Sequence, residues 1–563
     1  MKINSRYFAI LFLIVILAGV LRFYDLDRAD VINDEVIIGF RSIGLIDFFS
    51  SPYQTTPWEW FSDVPTWAKI SFHDHPPLIF LIQHLSFLIF GQTIFALRLP
   101  FVLAGIGSVL LLYFIGKQLF NKQIGIIASL LLAVSSYHVW VSRTGLQESM
   151  VIFFSLLAFY FFIKVIDSHK YYQWGIVLGL TLLTKHTALI LLPIFFSYLL
   201  FFKRTVFKDK RFWLAILLIA ILFSPVIIYN LKLYQARGYF DLQYSYLFNQ
   251  EVPDWESLPG KEQAGSFLER TKNLIPAFYQ GMLWPMFILF VLSLLVLFRK
   301  FFKTDLKLSF DQEAEQNLRP YYLLVLTILF YFLFFLLVGP AKRFIVMSVP
   351  FMIVLIAWLI YLQKKVIQIV LVTFLIAIEI FFSANTLLTH HPVGPQGLTN
   401  SYLAIESYSW GYNQLDAYLD QLLYRKSPEV TFETRYQFLE DLKKEAALKA
   451  TRDDAKPESI LIIYDNNMYD LATFWLFHRR MVYQGWPVIT SEDYLDQGRS
   501  FWTGQGINNF YFVKILDNKI LLQPIADQTN SAEILVEQLN DLTPDIIKRP
   551  DGREVFAVYH WQS

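Results

Sequence analysis

The sequence predicts a polytopic α-helical membrane protein of about eleven transmembrane helices, followed by a C-terminal extracytoplasmic α/β domain. Three observations carry this. Of 563 residues, 55% are hydrophobic and 17% charged, and the mean hydropathy is +0.42, so the apolar surplus has to face something other than water. Apolar runs of spanning length recur between residues 7 and 387, each close to the roughly 20 residues that cross a hydrocarbon core. After about residue 389 the composition turns polar and the apolar runs become short.

Taken in order, the runs cover 7–20, 99–116, 124–141, 150–166, a long stretch 172–202 interrupted at Lys185, then 212–229, 278–298, 321–338, 344–362 and 366–387. Splitting the long stretch at Lys185 gives eleven. The first run lies between Lys2 and Arg6 on one side and Arg22 on the other, without a small-residue cleavage site, and reads as an uncleaved helix. The run 76–90 is short and holds Gln83 and His84, and it could span or lie in the interface. The positive-inside rule decides. If it does not cross, Lys117 and Lys122, Lys164 and Lys170, the 203–211 cluster, the cluster from Arg299 to Lys307, and Lys364 with Lys365 all share a side with Lys2 and Arg6. If it crosses, they land opposite the N-terminus. We therefore expect eleven spans plus an interfacial helix in the cytoplasmic membrane.

That parity puts a large first loop, 24–98, a second loop, 230–277, and everything after His390 on the external side. The expected domains are 1–388, transmembrane, and 389–563, an external α/β domain. The apolar residues from Ile37 to Phe49 read as a segment hugging the bilayer, with Trp58, Trp60 and Trp67 in the headgroup belt. In the tail, 459–464, 510–515 and 555–561 read as strands and 413–423, 438–448 and 469–480 as amphipathic helices. The charge balance, 48 Lys plus Arg against 47 Asp plus Glu, offers nothing to nucleic acid. The absence of cysteine excludes disulfides, thiolate catalysis and thiolate-bound metals.

Polar residues at external helix ends are the candidates for chemistry, because ionisable groups there are costly to keep without a purpose. Asp34 and Glu35 follow the first run; they suit a solvated acidic turn, or a carboxylate base that deprotonates a hydroxyl. His73, Asp74 and His75 precede two prolines, which a helix start explains, though two His and an Asp also form a weak metal-ligand set. Arg143 and Glu148 join the third and fourth runs, where a surface ion pair would account for both. Lys185 interrupts an apolar stretch at a depth that suits an anionic headgroup or carrier phosphate. Arg343 makes the same case further on, with snorkelling as its plain explanation.

Asp34-Glu35, His75-Pro76-Pro77-Leu78, Arg98-Leu99-Pro100, Ser142-Arg143 with Glu148, Leu183-Thr184-Lys185 and Arg343-Phe344 leading to Pro350 together resemble the GT-C membrane glycosyltransferases. The likeness is strongest to the protein O-mannosyltransferase branch and the lipid A aminoarabinose transferases, and it is clearest from about 25 to 200. The resemblance implies inverting transfer of one sugar from a polyprenyl-monophosphate donor to an acceptor hydroxyl of a glycolipid, envelope polymer or exported protein. It implies Asp34 as base, Glu35 orienting it or the sugar, and Lys185, Arg343 and Arg143 on the donor phosphate. His73, Asp74, His75 and Glu148 are left for substrate or a divalent ion, which some GT-C members use and others do not. A transporter or flippase of lipid-linked sugars is the alternative; it would be expected to show broken helices or polar groups near the midplane, and the sequence shows neither. An oligosaccharyltransferase-type enzyme is a further rival, but the tail carries no Trp-Trp-Asp motif.

Overall fold

The computed structural model describes residues 5–48, 55–250, 252, 266–305, 312–339, 342–389, 393, 403, 407–517 and 529–563. Phe49 and Lys307 lie outside them, as does much of the stretch that follows the expected boundary at 388. The helices of the first part are α1 (Ser5–Phe23), α2 (Glu35–Gly44), α3 (Pro57–Trp60), α4 (Leu78–Phe90), α5 (Ile94–Leu119), α6 (Lys122–Val134), α7 (Ser136–Arg143), α8 (Gln147–Val165) and α9 (Tyr171–Leu182). They continue as α10 (Leu191–Phe202), α11 (Lys210–Arg237), α12 (Leu242–Leu247), α13 (Phe267–Gly281), α14 (Trp284–Asp305), α15 (Gln312–Val338), α16 (Lys342–Ile345), α17 (Val349–Tyr361) and α18 (Lys365–Ser383).

Among the described residues, eight helices are long and apolar enough to cross a membrane, or nine if the bent pair α6–α7 counts as one. The expected eleven can be reached by adding α9, of 12 residues, and the apolar helix His186–Phe202 that contains α10. Twelve residues rise about 18 Å against a hydrocarbon core of roughly 30 Å. Lys185 lies beyond the end of α9 and is the N-cap of the turn His186–Ile190. The run 76–90 forms α4, of 13 residues, which packs against α2 and α5 and leaves Leu85, Leu88 and Ile89 exposed.

Burial sorts the helices into layers. Every residue of α17 from Val349 to Ile360 is buried, as a helix apolar on all sides must be when it sits at the centre of a bundle. Large apolar residues of α1, α11, α14 and α18 are exposed, among them Phe12, Ile221, Leu295 and Val370, and in this composition they make the lipid-facing surface. Where α5 crosses α6, a Cβ on Gly116 would stand 2.8 Å from the Gly125 Cα, and one on Gly125 would stand 2.5 Å from the Tyr113 carbonyl oxygen. The crossing requires both glycines.

The structure corrects two expectations. Broken helices were not anticipated, yet α6 and α7 meet at 58°. The groups freed at the break are answered from distant helices: Arg22 donates to the Ala133 carbonyl at 3.0 Å, and Glu379 of α18 accepts from the Ser136 N–H at 2.8 Å and its hydroxyl at 2.6 Å. In an apolar medium such groups must find protein partners. Second, the 37–48 segment does not lie open on a bilayer. Its helix α2 is buried, with Phe40 against Phe474 and Tyr483, and Trp58 stands against Phe438 at 5.1 Å. The C-terminal domain covers both.

That domain is built on a five-stranded sheet of β3 (Ile460–Tyr464), β4 (Val488–Thr490), β5 (Asn509–Ile515), β6 (Asp545–Lys548) and β7 (Glu554–Gln562) in the order β4-β3-β5-β7-β6, beside a small parallel pair, β1 (Lys426–Pro428) with β2 (Lys456–Glu458). Strands β4, β3 and β5 are parallel, and β7 runs antiparallel to both neighbours. The three expected strands are the sheet's centre. Edge strands β4 and β6, of three and four residues, are too short to show a period of two.

Replacing Gly125 by Ala overfills the α5–α6 crossing, and overpacking of this kind costs about 1–3 kcal/mol. Thermal unfolding of the purified Gly125→Ala protein in detergent should begin at lower temperature; an unchanged transition would show that the helices can separate freely there.

Candidate active site

At the end of the bundle that carries the C-terminal domain, short elements bring charged residues together. Asp34 is the N-cap of α2 but makes no side-chain cap bond. Asn33 Oδ1 accepts the Glu35 N–H at 2.9 Å instead, and Asp34 pairs with Arg343 of α16. Their side chains are 46% and 30% exposed, so solvent and substrate can reach both. Glu148, in the first turn of α8, is buried and accepts from Lys185 Nζ at 2.7 Å; the carboxylate also gains from the positive end of its helix. Arg343 acts electrostatically on Glu148 as well. The ring of Phe344 lies beneath both cations, 4.9 Å from Lys185 Nζ and 5.2 Å from the Arg343 guanidinium. Two ion pairs, Asp34–Arg343 and Glu148–Lys185, thus stand side by side, with both cations over the one ring of Phe344.

A second charged network lies in the first loop. His75 Nδ1 lies 3.0 Å from Asp74, and Arg41 donates to both Asp74 oxygens at 2.8 and 3.1 Å and to Asp47 at 3.1 Å. Asp47 in turn holds His73, at 2.8 Å through Nδ1 and 2.7 Å through the backbone N–H. Burial works to raise the Asp74 carboxyl, yet Arg41 and the two histidines hold it well below the usual carboxylate range. Burial would lower the His73 imidazole, but Asp47 and Asp74 raise it above its ordinary value. His75 goes the other way, pushed down chiefly by burial.

Asp47, His73 and Asp74 have ligand atoms within 4.8 Å of one another, the geometry of a possible metal group. Arg41 already stands between the two carboxylates and balances them, so a divalent ion would have to displace a fully buried guanidinium. Asp34 and Glu148, also considered as ligands, each hold a cation of the protein. This donor set does not fit a resident metal.

Two candidates have other partners. Glu35 is fully buried and bound bidentately by Arg98, at 2.6 and 3.0 Å, while Arg98 also donates to the carbonyls of Leu26 and Asp30. A Cβ at residue 145 would meet Glu35 Oε2 at 2.7 Å, and φ there is +62°, so glycine is required for both reasons. Glu35 thus anchors the start of α2 to α5. Arg143, expected on a phosphate, is engaged by the carbonyls that end α1: Leu21, Arg22, Tyr24 and Asp25, at 2.6 to 3.3 Å. It caps a helix end.

Arg41 and Asp47 were missed in the sequence. Their signal was there, since they are charges inside the apolar 36–48 run and such charges normally mark a pair or a site.

The chain shares the fold that carries this arrangement with a protein of known structure. Over 98% of its length it superposes on 97% of ArnT from Cupriavidus metallidurans bound to undecaprenyl phosphate, with a TM-score of 0.52 at 12% identity. Residues 74–229 match the family described as dolichyl-phosphate-mannose-protein mannosyltransferase. The chain is 31% identical over 218 residues to the putative mannosyltransferase YkcB of Bacillus subtilis, and 30% identical over 158 residues to an uncharacterized protein of Aquifex aeolicus. These matches take in 37% and 28% of this chain and only 29% and 36% of the relatives.

The contrast between the two adjacent acids is measurable. Glu35→Ala leaves Arg98 buried without its counter-ion and should cost about 3–5 kcal/mol of stability. Asp34→Ala breaks a half-exposed pair worth about 0–1 kcal/mol. Thermal unfolding of both variants checks this, and equal losses would contradict the separate roles.

Proposed function

We propose that the chain is an inverting glycosyltransferase that moves one sugar from a polyprenyl-monophosphate carrier to an acceptor hydroxyl. The observation that carries this reading is the accessible Asp34–Arg343 pair, whose guanidinium shares the Phe344 ring with Lys185. It sets a proton acceptor beside two cations, which is what a single displacement at an anomeric carbon needs: a base on the nucleophile and charge stabilisation on the leaving group. Asp34 takes the acceptor proton as the hydroxyl oxygen bonds to the anomeric carbon. The bond from that carbon to the phosphate oxygen breaks, and its electron pair leaves with the carrier phosphate, held by Lys185 and Arg343. The sugar inverts, and no covalent intermediate with the protein forms.

An arriving phosphate competes with Asp34 and Glu148 for the same cations. Donor binding therefore draws Arg343 away from Asp34 and frees its carboxylate for the acceptor. Glu35 keeps Asp34 in place, and His73, Asp74 and His75 form the wall on the Lys185 side. The undecaprenyl phosphate of the ArnT structure and the dolichyl-phosphate-mannose of the family description support a polyprenyl carrier. Glycolipids, envelope polymers and Ser or Thr of exported proteins all offer the hydroxyl.

Asp34→Asn keeps the shape and removes the base, so transfer from a polyprenyl-phosphate sugar should fall by roughly 10²-fold or more with donor binding retained. Lys185→Ala should weaken donor use by about 1.5–3 kcal/mol. Normal turnover in Asp34→Asn would leave the mechanism without its base, and unchanged donor kinetics in Lys185→Ala would take Lys185 off the phosphate.

The site and C-terminal domain belong outside the cytoplasmic membrane, because only that orientation puts the basic loops inside. Single cysteines can be placed in this cysteine-free chain at the exposed Lys444 and Lys208. An impermeant thiol reagent on intact cells should label Lys444→Cys and not Lys208→Cys; the reverse would overturn the orientation.

A further inference from the structure

None of the residues assigned to the reaction above belongs to the C-terminal domain, yet that domain holds the segment from which Asp34 projects. Asp30 is fully buried, and its carboxylate accepts four backbone N–H groups of that domain: Trp410 at 2.6 Å, Gly411 at 3.0 Å, Tyr412 at 3.2 Å and Asn413 at 2.9 Å. These amides open the helix Tyr412–Leu422, whose first N–H groups have no partner within the helix. Asp30 supplies the cap from 380 residues away, and its charge suits the positive helix end.

The grip is returned from the other direction. Asn413 donates to the carbonyls of Asp27 and Ala29 at 2.6 and 2.8 Å and accepts the Val31 N–H at 3.2 Å. The next residue, Ile32, lies in the domain's own hydrophobic core with Tyr412 and Met468. On the opposite side Arg98 of α5 donates to the carbonyls of Leu26 and Asp30. The stretch 26–32 is therefore fixed between α5 and the C-terminal domain through its carbonyls, amides and one carboxylate. Asp34 follows two residues later.

We propose that the C-terminal domain is a positioning element of the active site, and that Asp30 is the positioning residue through which it sets the place of Asp34. The kinetic side of this rests on the glycosyltransferase reading; the structural side does not. A general base works only within hydrogen-bond reach of the proton it takes, and a displacement near 1 Å can cost up to 10²-fold in rate. Loosening 26–32 moves Asp34 while leaving Lys185 and Glu148, which belong to the helical bundle, where they are. The loss should fall on kcat and spare the donor KM.

Hydrogen exchange of the full chain in detergent, read by mass spectrometry beside transfer kinetics, tests this with Asp30→Ala, the milder Asn413→Ala, and Lys548→Ala on the far edge of the sheet as control. In the first two variants the amides of 31–38 should exchange about tenfold faster than in the parent, and kcat should fall about tenfold with donor KM within about twofold. The control should match the parent in both. Should Asp30→Ala unfold the domain, seen as exchange throughout β3 and β5, Asn413→Ala decides alone. Opening of the 410–413 amides with 31–38 as protected as in the parent would overturn the proposal, as would a raised donor KM at unchanged kcat. A parent protein that transfers no sugar would remove the glycosyltransferase reading, and the exchange result would still decide whether the domain fixes the segment.

Discussion

A charge at the edge of a hydrocarbon layer has to be answered by another charge or by aligned backbone groups, and the upper end of this bundle is built on that requirement. Arg98 meets Glu35, Lys185 meets Glu148, and Arg41 meets Asp47 and Asp74. Arg143 and Arg22 take the carbonyls released where helices end or break. All of these pairs but Arg41–Asp47 link elements that are distant in sequence, so they also decide how α2, α5, α8 and the turn after α9 converge. Asp34 with Arg343 stands apart because it is half exposed. A pair in that setting contributes little to stability, and its components can be exchanged for a ligand's charges at small cost.

The turn after α9 explains why, in the proposed reaction, an ionic site suits a lipid carrier. Because α9 ends after 12 residues, Lys185 sits where apolar helices meet the charged residues of the first loop, with its side chain 11% exposed. A carrier phosphate there would keep its hydrocarbon chain among the spans. The transferred sugar and the attacking hydroxyl would then lie on the side of Asp34, where the first loop and the C-terminal domain meet.

Much of the architecture was readable from the chain. Long apolar helices, such as α5, α11 and α15, coincide with apolar runs because burial in lipid is a local property of composition. Centre strands β3, β5 and β7 were readable for the same reason, being nearly continuous runs of Ile, Val, Phe and Tyr. The candidate acids and cations were found as types and positions, while their partners were not, since pairing is tertiary. Nothing near Arg143 announces four carbonyls from residues 21–25, and nothing near Ser136 announces Glu379, 243 residues on. The segment 37–48 looked like a membrane-surface helix because its apolar face was visible and the domain that covers it, more than 380 residues later, was not. Arg41 and Asp47 were overlooked in the same reading.

The most direct measurement is a structure of the full chain with a polyprenyl phosphate bound, determined in lipid nanodiscs by electron cryo-microscopy. The account predicts the phosphate within hydrogen-bond reach of Lys185 and Arg343, with Arg343 withdrawn from Asp34 and the Asp34 carboxylate open to the acceptor side. A phosphate bound elsewhere, with the Asp34–Arg343 and Lys185–Glu148 pairs both intact, would contradict it.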